Sequence, residues 1–136
     1  MQSEKPSKKN LQNLLQEYQN NNYEFTEKLA LSIIKEFPNH PLAWTVIGAV
    51  YKQTGKLDES ILANKRVVKI TPNDPTAHNN LGITLRDSGK LKEAEESLRM
   101  AINLKPDYAE AYNNLGITID RPEESIKYFN KAININ

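Results

Sequence analysis

The sequence predicts an all-α fold, a solenoid of antiparallel helix pairs in four repeats, and three observations carry that prediction. Displacing the chain by 34 residues superimposes Gly48, Gly82 and Gly116, and likewise Pro38, Pro72 and Pro106. The same shift pairs Gly55 with Gly89, Leu57 with Leu91 and Glu59 with Glu93, and aligns the rings of Trp44, His78 and Tyr112. Between these markers, apolar residues recur at helical spacing and Gly or Pro punctuates each run. A period between 20 and 50 residues is the mark of stacked supersecondary units, each burying its apolar face on a neighbour.

The motif positions also resemble those of the tetratricopeptide repeat family. Trp44, Ile47, Gly48 and Tyr51 follow its W-x2-L-G-x2-Y spacing, repeated by Leu81-Gly82 with Leu85 and by Leu115-Gly116 with Ile119. The second half of the pattern appears as Ala94, Leu98, Ala101 and Pro106, and as Ser60, Asn64, Val67 and Pro72. The resemblance covers nearly the whole chain. It implies a right-handed superhelical solenoid whose first helices line a concave groove.

Residues 1–7 are polar, contain Pro6 and lack periodicity, which predicts a disordered lead-in. Residues 8–136 read as a single domain, with repeats of about 8–40, 41–74, 75–108 and 109–136. In the first repeat Leu11, Leu14, Leu15 and Tyr18 recur at helical spacing, and Asn20, Asn21 and Asn22 replace the turn glycine, since Asn tolerates the left-handed conformation. A second helix of about 24–37 carries Leu29, Ala30, Ile33 and Ile34 and stops at Pro38. Pro41 opens the second repeat at a first helical position, where its missing N–H is no loss. Gly55 then closes a helix of about 42–54, and Asp58 and Glu59 start the next near the positive end of its dipole.

The third repeat is the most regular. Asp74 is placed to cap a helix of about 76–88, Gly89 ends it, and residues 91–104 return antiparallel. Gly82 lies mid-helix, where Gly costs about 1 kcal/mol against Ala, so its recurrence predicts a close approach of the partner helix. The fourth repeat is shortened: five residues separate Gly116 from Pro122, where eight separate Gly82 from Leu91. The expectation is a first helix ending near Thr118 or Ile119, a last helix starting near Arg121 or Pro122 with Asp120 and Glu123 as a capping box, and Ile126, Phe129 and Ile133 folding back onto Leu115.

No constellation for catalysis emerges. His40 and His78 are the only imidazoles, and His78 stands where Trp44 and Tyr112 stand, a packing position. Asp58/Glu59 and Glu123/Glu124 sit at helix starts, and Glu95/Glu96 reads as a solvated face. The sequence predicts no enzyme, no cofactor and no metal site. Net charge is +1 with both signs interspersed, so no basic face points to nucleic acid, and no apolar run approaches a membrane span. With no Cys and a polar start, the expected location is cytoplasmic.

The predicted activity is protein–protein interaction: an extended peptide or partner helix held in the groove. Asn79-Asn80 and Asn113-Asn114 each precede Leu-Gly, and an Asn amide offers a donor and an acceptor that match one peptide group. Asn80 and Asn114 resemble the asparagine ladder in the repeats of O-linked N-acetylglucosamine transferases, although the matching positions earlier in the chain hold Val46 and Gln12. Lys52 and Arg86, 34 apart, complete the candidate groove residues and would favour an acidic peptide, with Asp87 opposing that field. Two rival readings are a self-assembling scaffold, as a homodimer through the uncovered last repeat, and a targeting module of a longer transferase-type enzyme.

Overall fold

The computed structural model describes residues 4–135. Its described residues form eight α-helices and no strand. They fall into two compact units, Met1–Ile70 and Thr71–Asn136, which divide in the turn between the second and third repeats.

The first unit holds α1 (Lys8–Gln19), α2 (Tyr23–Glu36), α3 (Pro41–Gln53) and α4 (Leu57–Ile70). Of the expected lead-in, residues 1–3 lie outside the described residues, Pro6 is buried, and the Ser7 hydroxyl caps α1 by accepting from the Asn10 N–H at 3.1 Å. In the asparagine turn Asn21 takes φ +60, the left-handed conformation that Gly55 takes at φ +79 one repeat later. Leu14 and Ala30 meet Ala43, Val46 and Ile47 in one buried cluster, so α3 covers the apolar faces of α1 and α2. Each fully buried Leu or Ile there contributes about 1.5–3 kcal/mol. Between α3 and α4 the Ser60 hydroxyl donates to the Gly48 carbonyl at 2.7 Å.

The second unit holds α5 (Pro75–Asp87), α6 (Leu91–Leu104), α7 (Ala109–Thr118) and α8 (Pro122–Ile135). Asp74 caps α5, its carboxylate accepting from the Thr76 N–H at 2.9 Å. Gly89 turns the chain at φ +82. The expected close approach at Gly82 is present: a Cβ built there would stand 2.6 Å from Leu98 Cγ. Gly116 faces the Phe129 ring in the same way, at 2.6 Å.

The shortened repeat ends α7 at Thr118 and starts α8 at Pro122, as expected, but Arg121 and not Asp120 stands at the cap of α8, so the Asp120–Glu123 capping box does not form. Helix α7 has 10 residues where α5 has 13, about 4.5 Å less helix, and Ile119 caps it in extended backbone, φ −79 and ψ 129. No left-handed residue is used. Instead the Ser125 hydroxyl donates to the Ile119 carbonyl at 3.0 Å, both residues being buried. The first turn of α8 starts from Arg121, whose carbonyl accepts from the Ser125 N–H. One expectation is corrected: Ile126 and Ile133 do not fold onto Leu115 but are 59% and 69% exposed, and the buried face of α8 is Ser125 and Ala132. The shortened connection keeps the inward stripe, since Ser125, Phe129 and Ala132 stand where Ala94, Leu98 and Ala101 stand in α6, and Ile133 takes the place of Ile102, outside that stripe.

Candidate protein-binding surface

The second, third and fourth repeats each orient their leading helix by one side-chain bond to the turn before it. Trp44 Nε1 donates to the Pro38 carbonyl at 2.8 Å, His78 Nε2 lies 2.7 Å from the Pro72 carbonyl, and Tyr112 Oη donates to the Pro106 carbonyl at 3.0 Å. A carbonyl only accepts, so His78 carries its proton on Nε2. These three rings share a polar edge on a common acceptor as well as a packing position.

Within the second unit, a chain of hydrogen bonds joins α5 to α7. Asn79 Nδ2 donates to Glu110 Oε1 at 3.1 Å, Asn114 Nδ2 donates to Asn79 Oδ1 at 3.1 Å, and Arg86 Nη1 donates to Asn114 Oδ1 at 3.3 Å. Arg86 also donates twice to Asp87 Oδ1 at 3.3 Å. Asn79 is fully buried and Asn114 nearly so. Buried amides require such partners, because an unsatisfied one costs about 1–3 kcal/mol. The two bonds of Asn114 use half its capacity, leaving one N–H and one lone pair.

The six residues singled out in the sequence therefore occupy different settings. Asn79 and Asn114 bond to each other, and Arg86 joins them. Asn80 is half-buried on α5, and Asn113 is exposed on α7. Lys52 is half-buried on α3 in the first unit. Two residues were not singled out: Ile83 and Ile117, 34 apart and one turn beyond Asn79 and Asn113, are half-buried and 55% exposed. Their signal was an apolar residue directly after each Leu-Gly.

A second network, also unread in the sequence, ties α8 to α6. Glu95 Oε1 accepts from Arg99 Nη2 at 2.8 Å and from Arg121 Nη2 at 2.9 Å, Arg121 Nη2 donates to Glu124 at 3.1 Å, and Arg99 Nη1 donates to Tyr128 Oη at 2.9 Å. The hydrogen bond from Arg99 holds the Glu95 carboxyl below its usual range, and Arg121 adds to the effect against the opposing desolvation. Among the described residues no group of three His, Cys or carboxylate side chains could hold a metal ion, and no helix is long and apolar enough to cross a membrane.

Paired helices on a fixed period, each pair seated on the last within its unit, define a helical-repeat protein. A family model described as TPR repeat matches residues 48–86 and 84–119, and one described as Tetratricopeptide repeat matches residues 109–136. The chain belongs to the tetratricopeptide repeat family. No curated protein matches it. Among solved structures it is similar to a double mutant of MamA RS-1, at 21% identity and TM-score 0.85 over 93% of this chain and 72% of that one. MamA from Desulfovibrio magneticus RS-1 matches at 21% identity and TM-score 0.84 over 93% and 73%. A mutant O-GlcNAc transferase from Thermobaculum terrenum matches at 21% identity and TM-score 0.84, over 93% of this chain but 26% of the transferase. At such identities the likeness is one of fold.

Proposed function

We propose that the chain is a non-catalytic interaction module that holds an extended segment of another protein along α5 and α7. The observation that carries this reading is the Asn114 amide, fixed from both sides by Asn79 and Arg86 with half its hydrogen-bonding capacity left over, with the half-buried Asn80 one repeat earlier on α5. Two amides one repeat apart match the donor and acceptor of peptide groups without reading side chains. Arg86 is paired with Asp87, so this face favours main chain over acidic side chains, and binding should depend weakly on salt. A cytoplasmic setting and exclusion of nucleic acid are part of the same proposal, supported by the cysteine-free, charge-balanced sequence. The reading as a targeting module has one support, the match to a quarter of a transferase chain.

The test is a library of extended peptides titrated against the full chain, with Asn80→Ala as the probe of the face. The expected result is saturable binding by the parent, weakened about two- to tenfold in the variant, from a hydrogen bond of about 0.5–1.5 kcal/mol. Selected peptides that bind parent and variant equally would refute the assignment.

A further inference from the structure

The same surface occurs on successive repeats, covered in one case and open in the next. In the third repeat, Asn79, Leu98 and Ile102 form the seat of α7, with Ile83 one turn beyond Asn79 on α5. Asn79 bonds to Glu110 and Asn114, and Leu98 joins Leu115 and Ile119 in one buried cluster with Ile102 against it. Asn79 and Leu98 are fully buried there, and Ile83 and Ile102 half-buried. In the fourth repeat the equivalent residues are Asn113, Ile117, Phe129 and Ile133. Asn113 is exposed, Phe129 half-buried, and Ile117 and Ile133 are 55% and 69% exposed. Asn113, Phe129 and Ile133 line an open depression of about 550 Å³ together with Ala109, Glu110 and Ala132. The first unit repeats the covered arrangement, with Leu11, Ala30 and Ile33 under Ala43, Val46 and Ile47 of α3.

We infer that this α7–α8 face is a docking site for an amphipathic helix of another protein, presenting the pattern that α7 presents to the third repeat. The guests within this chain share that pattern. Ala111 and Leu115 of α7 and its cap Ile119 recur as Ala43, Ile47 and Tyr51 of α3, a small residue followed by large apolar ones at intervals of four. Glu110 and Asn114, the residues preceding the first two, bond to the host asparagine. The occupant is therefore a helix reading Glu-Ala-x-x-Asn-Leu-x-x-x-Ile, whose carboxylate and amide satisfy Asn113 while its apolar residues cover Phe129 and Ile133. This interface continues the one between α6 and α7 by one period.

A second copy of this chain does not supply that helix. Helix α1 lacks the pattern, its register being fixed by Asn21 standing 34 residues before Gly55, each in the left-handed conformation. In that register α1 brings Asn13 and Glu17 where α7 brings Leu115 and Ile119, and Lys8 where α7 brings Glu110. The helices that do carry the pattern pack within their own units.

The experiment uses the full chain and a peptide copying residues 107–120, stapled across the positions of Asn113 and Ile117, which face away from the guest side. Stapling is needed because an isolated helix of this length is marginal. Fluorescence anisotropy should show saturable binding by a monomeric chain. Ile133→Glu, at an exposed position that leaves folding intact by circular dichroism, should weaken binding about tenfold or more, because a carboxylate is then buried against apolar side chains. Leu62→Glu, 69% exposed in the first unit, should leave it unchanged, and so should Asn80→Ala, which separates this site from the face proposed above. Absence of saturable binding, or equal weakening by Ile133→Glu and Leu62→Glu, would overturn the proposal. So would a dimer by light scattering that Ile133→Glu dissociates, since the occupant would then be a second copy.

Discussion

The third and fourth repeats begin with nearly the same six residues, AHNNLG at 77–82 and AYNNLG at 111–116, and they are closed by different means. The third uses a left-handed Gly89 and a tight contact of Gly82 on Leu98, whose side chain is fully buried. The fourth lacks three residues and the turn glycine. It substitutes extended backbone at Ile119, a buried hydroxyl from Ser125, and the Glu95, Arg99, Arg121, Glu124 and Tyr128 network across α6 and α8. The helix-pair contact is thus set by the positions facing across the hairpin. The connection between them is replaceable when side chains satisfy the freed backbone groups.

The largest expected effect lies in the glycines. Adding one methyl at Gly82 meets a buried branched carbon and, at 3.3 Å, the Ala94 carbonyl, so neither neighbour has room to move. Gly82→Ala should lose about 1–2 kcal/mol net, an overpacking cost near the upper end of about 1–3 kcal/mol less the gain of about 1 kcal/mol in helix propensity. Gly116→Ala should lose less, because the half-buried Phe129 ring can swing outward. Gly48→Ala, where the nearest atom is the end of the Asn64 side chain at 3.1 Å, should fall within about 0.5 kcal/mol of the parent. Urea midpoints of the three variants give the ranking, and a Gly82 variant as stable as the parent would remove close packing as the reason for that residue.

The hydroxyl that stands in for the turn comes next. Ser125→Ala strips the buried Ile119 carbonyl of its donor and should destabilise by about 1–2 kcal/mol, with faster hydrogen exchange in α8 than in α6. Equal acceleration in both helices would mean that Ser125 supports the unit as a whole and not the shortened hairpin in particular.

The charge network is the smallest contributor. Glu95→Gln should cost about 0.5–1 kcal/mol, since its partners are half exposed to solvent. The sign of its pH dependence follows from the lowered carboxyl pKa. The folded state favours the charged form, so the contribution is complete above the ordinary value of 4.5 and declines as the pH falls through the lower folded value. Thermal midpoints of parent and variant measured from pH 7 down to pH 3 should therefore converge, and a constant gap would contradict the ionic origin.

Legibility of the sequence tracked the period. Gly48, Gly82 and Gly116 placed the helices because a helical glycine needs a reason, and α2, α3, α5 and α6 lie within one residue of where the repeats put them. Asn20 to Asn22 were readable as a turn because few residues accept positive φ. The shared proline-carbonyl acceptor of Trp44, His78 and Tyr112 was hidden, since three different rings give no common polar pattern until the turn geometry is known. The asparagines were the hardest case. Asn79 and Asn80 are adjacent, yet 100° of helical rotation puts one against α7 and leaves the other half-buried, and periodicity alone does not say which face the next helix covers. The Glu95 network was invisible because its members come from three segments whose approach depends on the shortened hairpin.

The central claim is that an identical residue one repeat apart is structural at position 79 and a binding group at position 113. It is tested most directly by measuring stability and affinity for the stapled 107–120 helix in Asn79→Ala and Asn113→Ala side by side. The account predicts a loss of about 1–3 kcal/mol of stability for Asn79→Ala, with affinity per folded molecule unchanged, because a buried amide loses its partners. For Asn113→Ala it predicts unchanged stability and affinity reduced about three- to tenfold. Parental stability in Asn79→Ala, or parental affinity in Asn113→Ala, would contradict it.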